Sequence, residues 1–218
     1  MNYQFDWSVV LEPAMWFSAI GVTLGYAIGT TVCGMGLGLL IGLCMLTPYG
    51  AVRRILDIYV QVFRCTPVLV QIVWFYYALP MVLGINFPAW LAAGLGLTLY
   101  MGAFCAEIFR AGVMSIEKGQ WNAARSIGMR YPTMMRRIIL PQAVRRMAPP
   151  LVSQTILQLK NTSLLSVISV HDVMYVSSQL TSSSFRPLEV FTFTALIYFV
   201  LLYPLTIIAK RLESDVRG

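Results

Sequence analysis

An uncharged stretch from Cys65 to Ala106 limits what this chain can fold into more than any other feature of its sequence. A second stretch without Asp, Glu, Lys or Arg runs from Trp16 to Leu46. A membrane span needs about 20 apolar residues, so the first of these stretches is too long for a single crossing. Charged residues form only 11% of the chain, whereas a soluble domain carries about 25%. These features predict an all-α integral membrane protein.

Turn-forming and charged residues divide residues 1–218 into five transmembrane helices within a single domain. We place the spans at about 16–46, 56–79, 88–110, 149–170 and 190–209. The connection between the second and third spans contains the turn formers Pro80, Gly84, Asn86 and Pro88. We expect Pro149 and Pro150 to open the fourth span, and residues 171–187, rich in Ser and Thr, to form a polar loop.

The first predicted span contains two groups of glycines at four-residue spacing. Glycines four apart lie on one face of a helix and allow a second helix to approach closely. They are Gly21, Gly25 and Gly29, followed by Gly34, Gly38 and Gly42. The spacing predicts a packed helix and is only weak evidence for self-association.

The basic residues predict the orientation of the chain. Arg53 and Arg54, the region 110–146 and the C-terminal tail fall on one side of the five-span arrangement. The Lys and Arg residues outside this set are Arg64, Lys160 and Arg186. Basic residues favour the cytoplasmic side, so we expect a periplasmic N-terminus and a cytoplasmic C-terminus. The first residues lack the basic start of a secretory signal and are expected to belong to the mature protein. The net charge of +7 is thus explained by basic residues on the cytoplasmic side of the membrane and does not indicate nucleic-acid binding.

A polar, basic segment lies between the third and fourth predicted spans, and we predict a helix–turn–helix elbow over residues 115–141. Residues 120–128 are typical of a short helix that ends on a glycine. A second helix is expected to continue to Pro141. The small side chains of Ala123 and Ala124 would keep one side of the short helix slim enough to enter a groove on another protein. The alternative is an amphipathic segment that rests on lipid headgroups.

The elbow resembles the EAA loop of permease subunits of ABC importers. The motif residues are Asn122-Ala123-Ala124, Gly128 and Ile138-x-Leu140-Pro141. The blocks FRCTPVLVQIVWFYYALP, AEIFRAGVMSIEKGQWNAARSIGM, IILPQAVRRMAPPLVSQ and LKNTSLLSVISV resemble the class that imports polar amino acids. The resemblance covers nearly the whole chain and is weakest over the first ten residues and 171–190. Asn122 departs from the family pattern, which has Glu at this position.

The resemblance implies a transport subunit that works by alternating access in the inner membrane. In that family the short helix docks in a cleft of a cytoplasmic ATPase subunit and passes its motion to the spans. The implied coupling residues are Gly119, Gln120, Asn122, Ala123, Ala124, Gly128, Leu140 and Pro141. With Asn122 in place of Glu, the amide can still form hydrogen bonds, but a charged contribution is missing.

Further partners follow from the same resemblance. They are a second permease subunit (in a homodimer or a heterodimer), a periplasmic substrate-binding protein, an amino-acid substrate and membrane lipid. The binding protein is expected to face the turn at 80–88 and the loop at 171–187. The sequence does not specify which amino acid is carried.

The chain lacks the G-x-x-x-x-G-K-[ST] phosphate loop, so we expect ATP to be bound and hydrolysed by a separate subunit. We expect no cofactor, no metal and no catalytic residue in this chain. A membrane-embedded enzyme is disfavoured because the sequence has one histidine and no metal-ligand spacing. The remaining alternative is a channel or structural membrane subunit without an ATPase, which should tolerate deletion of 119–128.

The fourth predicted span carries polar side chains, which are costly at membrane depth unless they are paired or face water. Gln154, Gln158 and Asn161 fall in one stripe at about 100° per residue, and Lys160 points away from it. In the context of the family, a stripe of amides suits hydrogen bonding to a passing amino acid. The alternative is hydrogen bonding between helices. The candidate substrate-path residues are Gln154, Gln158, Lys160, Asn161, Thr162 and Ser163.

Lys160 allows two interpretations, a structural ion pair or contact with substrate, and replacement by Ala is expected to impair transport or assembly. Arg64-Cys65-Thr66-Pro67 resembles the R-G-T-P block of the family, with Cys65 in place of Gly. The proline disfavours helical geometry at Thr66, so we predict a bend there. Arg64, Thr66 and Pro67 are therefore candidate structural or gating residues.

Overall fold

The computed structural model describes residues 4–217, and their side chains through residue 214. Within these residues the chain is helical and contains no β-strand, which agrees with the predicted all-α class. The helices are α1 (Pro13–Met45), α2 (Gly50–Cys65), α3 (Val68–Leu83), α4 (Ala89–Met114), α5 (Lys118–Ser126), α6 (131–161), α7 (Val173–Ser184) and α8 (Pro187–Arg217). Short 3₁₀ helices cover Trp7–Val10 and Thr162–Ile168.

Three helices in the described part of the chain are long and apolar enough to cross a membrane. They are α1, α4 and the Pro187–Ser214 part of α8. The pair α2 and α3 meets the same requirements as one broken span, which gives up to four. α6 is not among them.

α1 and α4 form the central helix pair, and glycines set how closely they pack. A Cβ atom added to Gly38 would lie 2.8 Å from the carbonyl oxygen of Gly102 and 2.9 Å from the amide nitrogen of Ala106. Gly34 and Gly42 also face α4 at short range. Added Cβ atoms on the other group, Gly21, Gly25 and Gly29, would meet nothing within 4 Å. The predicted close packing is therefore confirmed for one of the two glycine groups.

α2 and α3 meet at an angle of 106°, so the second predicted span is sharply broken. Thr66 is extended, with φ −101° and ψ 134°, as expected for a residue that precedes proline. The predicted bend is confirmed, although the sequence indicated a local bend within a single span over 56–79. The helical segments on the two sides also extend beyond this range, from Gly50 to Leu83.

Two prolines that were predicted to end helices lie inside them. The helices continue past Pro80 and Pro141, and each proline follows a π-helical turn, Trp74–Ala78 or Met135–Ile139. A proline cannot donate the backbone hydrogen bond of a regular helix and collides with the preceding turn. The wider π turn removes this conflict because its hydrogen bonds reach one residue further.

Pro149 and Pro150 do not begin a helix, although the sequence indicated this for the start of the fourth span. Both prolines lie inside α6, which runs without interruption from the elbow to Asn161. The second helix of the elbow was predicted to end at Pro141. It begins at Tyr131 and continues past Pro141 as part of α6.

The prediction of a polar loop at 171–187 is wrong, because residues Val173–Ser184 of this segment form helix α7. The Asp172 side chain caps this helix by accepting a hydrogen bond from the Tyr175 amide at 2.9 Å. Its serine hydroxyls donate to carbonyl oxygens three or four residues earlier, as Ser177 does to Val173 at 2.6 Å. The serine hydroxyls are satisfied within the helix itself, so the low apolar content did not indicate a loop.

Candidate functional site

The short helix α5 is fixed to the rest of the molecule by one buried face. Ala124 is 1% exposed and packs in an apolar cluster with residues of α4 and α6. The other buried members are Val113, Ile116, Met134, Ile139, Ala143 and Met147. Trp121 and Met129 pack against the same cluster. Because this cluster joins α5 to both neighbouring helices, a displacement of α5 would be transmitted to both.

A glycine ends α5 as the sequence predicts, and its backbone has φ +73°. The amide of Met129 donates to the carbonyl of Ala124 at 3.1 Å, and the amide of Gly128 donates to Arg125 at 2.9 Å. This pair of bonds is a Schellman motif, whose left-handed residue favours glycine. The motif turns the chain back towards α6.

The outer face of α5 is lined by small side chains. Gly119, Asn122, Ala123 and Ser126 are exposed, and at about 100° per residue they lie opposite Ala124 and Trp121. The sequence predicted that Ala123 and Ala124 together keep one side slim. Only Ala123 lies on this outer face, because Ala124 faces the interior. We call Gly119, Asn122, Ala123 and Ser126 the small outer face.

The remaining predicted coupling residues lie on α5, at its glycine stop and on α6. Gln120 is exposed, and its side-chain oxygen is 3.5 Å from Nε2 of Gln142 in α6. Leu140 and Pro141 are exposed and directly follow the π turn of α6. The side-chain amide of Asn122 is exposed and has no hydrogen-bond partner among the described residues, so it is free to bond to a group outside the chain.

Gln158 is a structural residue in the predicted substrate-path group. It is fully buried and its Nε2 donates to Thr30 Oγ1 at 2.8 Å and to the carbonyl of Leu97 at 3.0 Å. These bonds connect α6 with α1 and α4, which supports the alternative of hydrogen bonding between helices. Thr162 is also fully buried and donates to the carbonyl of Leu159 at 2.7 Å.

Lys160 and Ser163 lie in a different setting. Both line a cavity of about 380 Å³ between α6, α7 and α8, together with Tyr198 and Thr194. Lys160 is exposed and forms no ion pair within the described side chains, so the structure offers no support for a structural ion pair. Asn161 Nδ2 and Gln154 Nε2 are buried atoms without a hydrogen-bond partner.

The bend between α2 and α3 holds the three candidate gating residues. The guanidinium of Arg64 lies 5.6 Å from the centre of the Phe104 ring of α4. Pro67 begins the turn into α3. Gln71 Nε2 donates to the carbonyls of Phe63 and Thr66, each at 2.8 Å. Gln71 therefore satisfies carbonyls at the end of α2, a function that sequence reasoning missed although it is an amide within an otherwise apolar stretch.

Two buried acidic residues at the other end of the bundle were also missed. Glu189 is fully buried, accepts a hydrogen bond from the Asp6 amide at 3.0 Å and lies 3.7 Å from Arg186. Asp172, between α6 and α7, is fully buried, and burial raises the pKa of its carboxyl group to about 6. The signal in the sequence is an acidic residue at a helix start, with Asp172 just before α7 and Glu189 in the first turn of α8.

Comparison with known proteins agrees with this architecture. Residues 34–218 match the family described as binding-protein-dependent transport system inner membrane component. The arginine transport system permease protein ArtQ of Bacillus subtilis is 33% identical, with 100% of this chain and 99% of ArtQ covered. The glutamine transport system permease protein GlnP of Escherichia coli is 34% identical, with 98% and 99% covered.

Solved structures match over the same length. A crystal structure of an amino acid ABC transporter with histidines superposes with a TM-score of 0.89 at 32% identity, covering 100% of this chain and 99% of that chain. The inward-facing MetNI methionine ABC transporter matches with a TM-score of 0.77 at 20% identity, covering 94% and 98%, and at this identity supports the fold alone. The chain is a multi-pass membrane protein that belongs to the family of binding-protein-dependent transport system inner membrane components.

Proposed function

We propose that this chain is the permease subunit of an ATP-driven importer of polar amino acids. It would form one half of a two-permease assembly that alternates between outward and inward openings. A separate cytoplasmic ATPase subunit would bind and hydrolyse ATP, and the chain itself would need no cofactor. The relatives named for arginine and glutamine transport support this substrate class.

The proposal depends mainly on the small outer face of α5. A helix with Gly119, Asn122, Ala123 and Ser126 exposed presents little side-chain bulk, so a groove on a partner can approach its backbone closely. Its opposite side is fixed by Ala124 in the cluster shared with α4 and α6. A force applied by the ATPase to the outer face would thus move both helices together.

We propose five spans with a periplasmic N-terminus and a cytoplasmic C-terminus, in which α6 supplies the fourth span. A helix over 131–161 is about 45 Å long, more than the 30 Å hydrocarbon core requires. Its four arginines lie in the first half, at 136, 137, 145 and 146. The part from Met147 to Leu159 is uncharged and, with the following 3₁₀ helix, would lie within the membrane.

The substrate path is proposed to pass the cavity that contains Lys160 and Ser163. The unpartnered amide nitrogens of Gln154 and Asn161 lie on another face of α6, outside the lining of this cavity, and would donate to a substrate carboxylate or amide after the surrounding helices move apart. Gln158 would support the path by holding α1 and α4 against α6, and Thr162 by its hydrogen bond to the end of α6. At the periplasmic end, α7 and the turn at 80–88 would face the substrate-binding protein.

Replacement of Lys160 tests the proposed path. We expect Lys160→Ala to lower uptake at least about tenfold at normal membrane abundance, because the cavity loses the one cationic side chain that the described residues contribute to its lining. Lys210→Ala, a lysine near the end of α8, serves as the control and should transport normally. Normal uptake by Lys160→Ala would remove this residue from the path.

Reconstitution tests the function as a whole. The chain is co-reconstituted with its candidate ATPase and binding protein in liposomes, and uptake is measured for a panel of labelled amino acids. We expect ATP-dependent accumulation of at least one polar amino acid that requires the binding protein. Ion conduction or solute flux that is independent of ATP and of the ATPase would favour the channel alternative and contradict the proposal.

A further inference from the structure

We propose that the cavity lined by Arg64 and Arg146 binds the phosphate of an anionic phospholipid. The cavity has a volume of about 380 Å³ and lies where α2, α4 and α6 meet, at the end of the bundle that carries the elbow. The proposal depends on the membrane location of the chain and not on transport, so either can fail without the other.

Both guanidinium groups are held by uncharged partners. Arg64 lies over the Phe104 ring, a cation–π contact that leaves its N–H groups available. Arg146 donates one Nη1 hydrogen bond to the carbonyl of Ser115 at 2.5 Å. Neither residue forms an ion pair with a carboxylate among residues 4–214, whereas Arg53 and Arg186 do.

The cavity also contains a carboxylate, but its charge is already compensated. Glu107 accepts two hydrogen bonds from Arg110, from Nη2 at 2.6 Å and from Nε at 3.1 Å. This two-point pairing occupies both carboxylate oxygens. Arg64 also interacts with the Glu107 charge, but Arg64, Arg110 and Arg146 together outnumber this one carboxylate, so the cavity keeps an excess of positive charge. This excess favours an anionic ligand over a zwitterion that would need a free carboxylate for its ammonium group.

The rest of the cavity wall is apolar and indicates an amphiphile. Its lining includes Phe104, Ile108, Ala111, Met147 and Pro150. These residues belong to the last turns of the candidate span α4 and the facing part of α6, where the hydrocarbon core would give way to headgroups at the basic end of the span. Basic pockets between spans at this depth suit lipid phosphates, which guanidinium groups bind with two parallel hydrogen bonds. A soluble phosphate or carboxylate would supply a negative charge but no apolar group to cover the apolar wall.

Native mass spectrometry of the purified, delipidated transport complex tests the site. Phosphatidylglycerol is titrated against phosphatidylcholine with the same acyl chains. We expect tighter binding of phosphatidylglycerol, weakened about fivefold for each arginine removed in Arg64→Gln and Arg146→Gln. The matched control Arg53→Gln/Arg54→Gln removes two arginines from the same end of the bundle outside the cavity and should bind the lipid as the wild type does.

Two further measurements separate the possible outcomes. Arg64→Lys/Arg146→Lys keeps the positive charge and should retain most of the binding, and an unchanged melting temperature of the Gln variants excludes misfolding as the cause of their loss. Equal phosphatidylglycerol binding by the wild type and the double Gln variant would overturn the proposal. Displacement of the lipid by millimolar inorganic phosphate would assign the site to a soluble anion, and displacement by millimolar glutamine would assign it to a zwitterionic amino acid. Either result would also overturn the proposal.

Discussion

The two ends of this helix bundle are stabilised in different ways. At the basic end, Gly34, Gly38 and Gly42 bring the backbone of α1 against α4, and the apolar cluster around Ala124 fixes α5. At the opposite end, the glycines of α1 are open, and buried polar groups connect the segments alongside a second apolar cluster around Trp16 and Val173. One example is the hydrogen bond that the Glu189 carboxylate accepts from the backbone amide of Asp6. Another is the 2.5 Å hydrogen bond between the hydroxyls of Ser177 and Thr194.

This difference suits a protein in which one end transmits a force and the other changes shape. Close backbone packing leaves little freedom for two helices to slide, because an interior at native density has few voids. Hydrogen bonds between short segments can be exchanged for bonds to water or to a partner at small net cost. The basic end would thus move as a rigid unit, and the opposite end would rearrange.

The largest effect is expected from Gly38→Ala. Its new methyl group would lie within 3 Å of backbone atoms of Gly102 and Ala106, which cannot move aside as a side chain can. We expect the free energy of unfolding to fall by about 3 kcal/mol or more. The measurement is thermal unfolding in detergent.

Gly25→Ala is the matched control on the open half of the same helix, since its methyl group meets nothing within 4 Å. Its stability should remain within about 0.5 kcal/mol of the wild type. If both variants melt alike, the proposed contrast between the two halves of α1 is wrong.

Glu189→Ala should have the next largest effect. The buried carboxylate accepts the Asp6 amide hydrogen bond and pairs with Arg186, and its loss leaves these groups without this acceptor. We expect a loss of about 2 kcal/mol. The control is Glu117→Ala, an exposed carboxylate at the basic end, which should change the unfolding free energy by less than about 0.5 kcal/mol. Equal losses in the two variants would show that burial of the carboxylate is not the cause.

The smallest effect concerns the pH dependence of Asp172. Burial raises its pKa from the ordinary 3.8 to about 6, so the folded protein holds the proton more tightly than the unfolded chain. Stability contributed by this proton is present below about pH 4 and is lost as the pH rises through about 6. Asp172→Asn keeps a helix-capping side chain and avoids the charge, so it should gain about 1 kcal/mol at pH 7.5 and almost nothing at pH 4.

Unfolding of Asp172→Asn and the wild type across this pH range checks the sign. A variant that is less stable than the wild type at pH 7.5 would mean that the ionised carboxylate is satisfied by its surroundings. In that case the opposite end would not contain a strained buried charge.

The elbow could be predicted from sequence because its signals are local. The glycine stop of α5 requires only that residue 128 adopt φ > 0, and the bend at Thr66 requires only the following proline. The role of Gln158 could not be predicted in the same way. Periodicity shows that Gln154, Gln158 and Asn161 share a face, but it does not show that Thr30 and Leu97 from two other helices meet Gln158 there.

Two errors have related physical causes. The serine-rich segment 171–187 looked like a loop because its side chains are polar, although their hydroxyls bond to the backbone of α7 itself. Pro149 and Pro150 looked like a helix start, although α6 was already formed several turns earlier. Composition does not reveal whether a polar or proline residue is accommodated by its own helix.

The proposal that the small outer face of α5 binds an ATPase is tested most directly by one substitution pair. Ala123→Arg places a long cation on that face, whereas Ala51→Arg makes the same change on an exposed alanine of α2 at the same end. The measurement is the amount of ATPase subunit that co-purifies with each variant, with melting temperatures confirming that both are folded. We expect at least a tenfold loss of the ATPase for Ala123→Arg and wild-type recovery for Ala51→Arg. Equal recovery with both variants would contradict the assignment of α5 as the coupling helix.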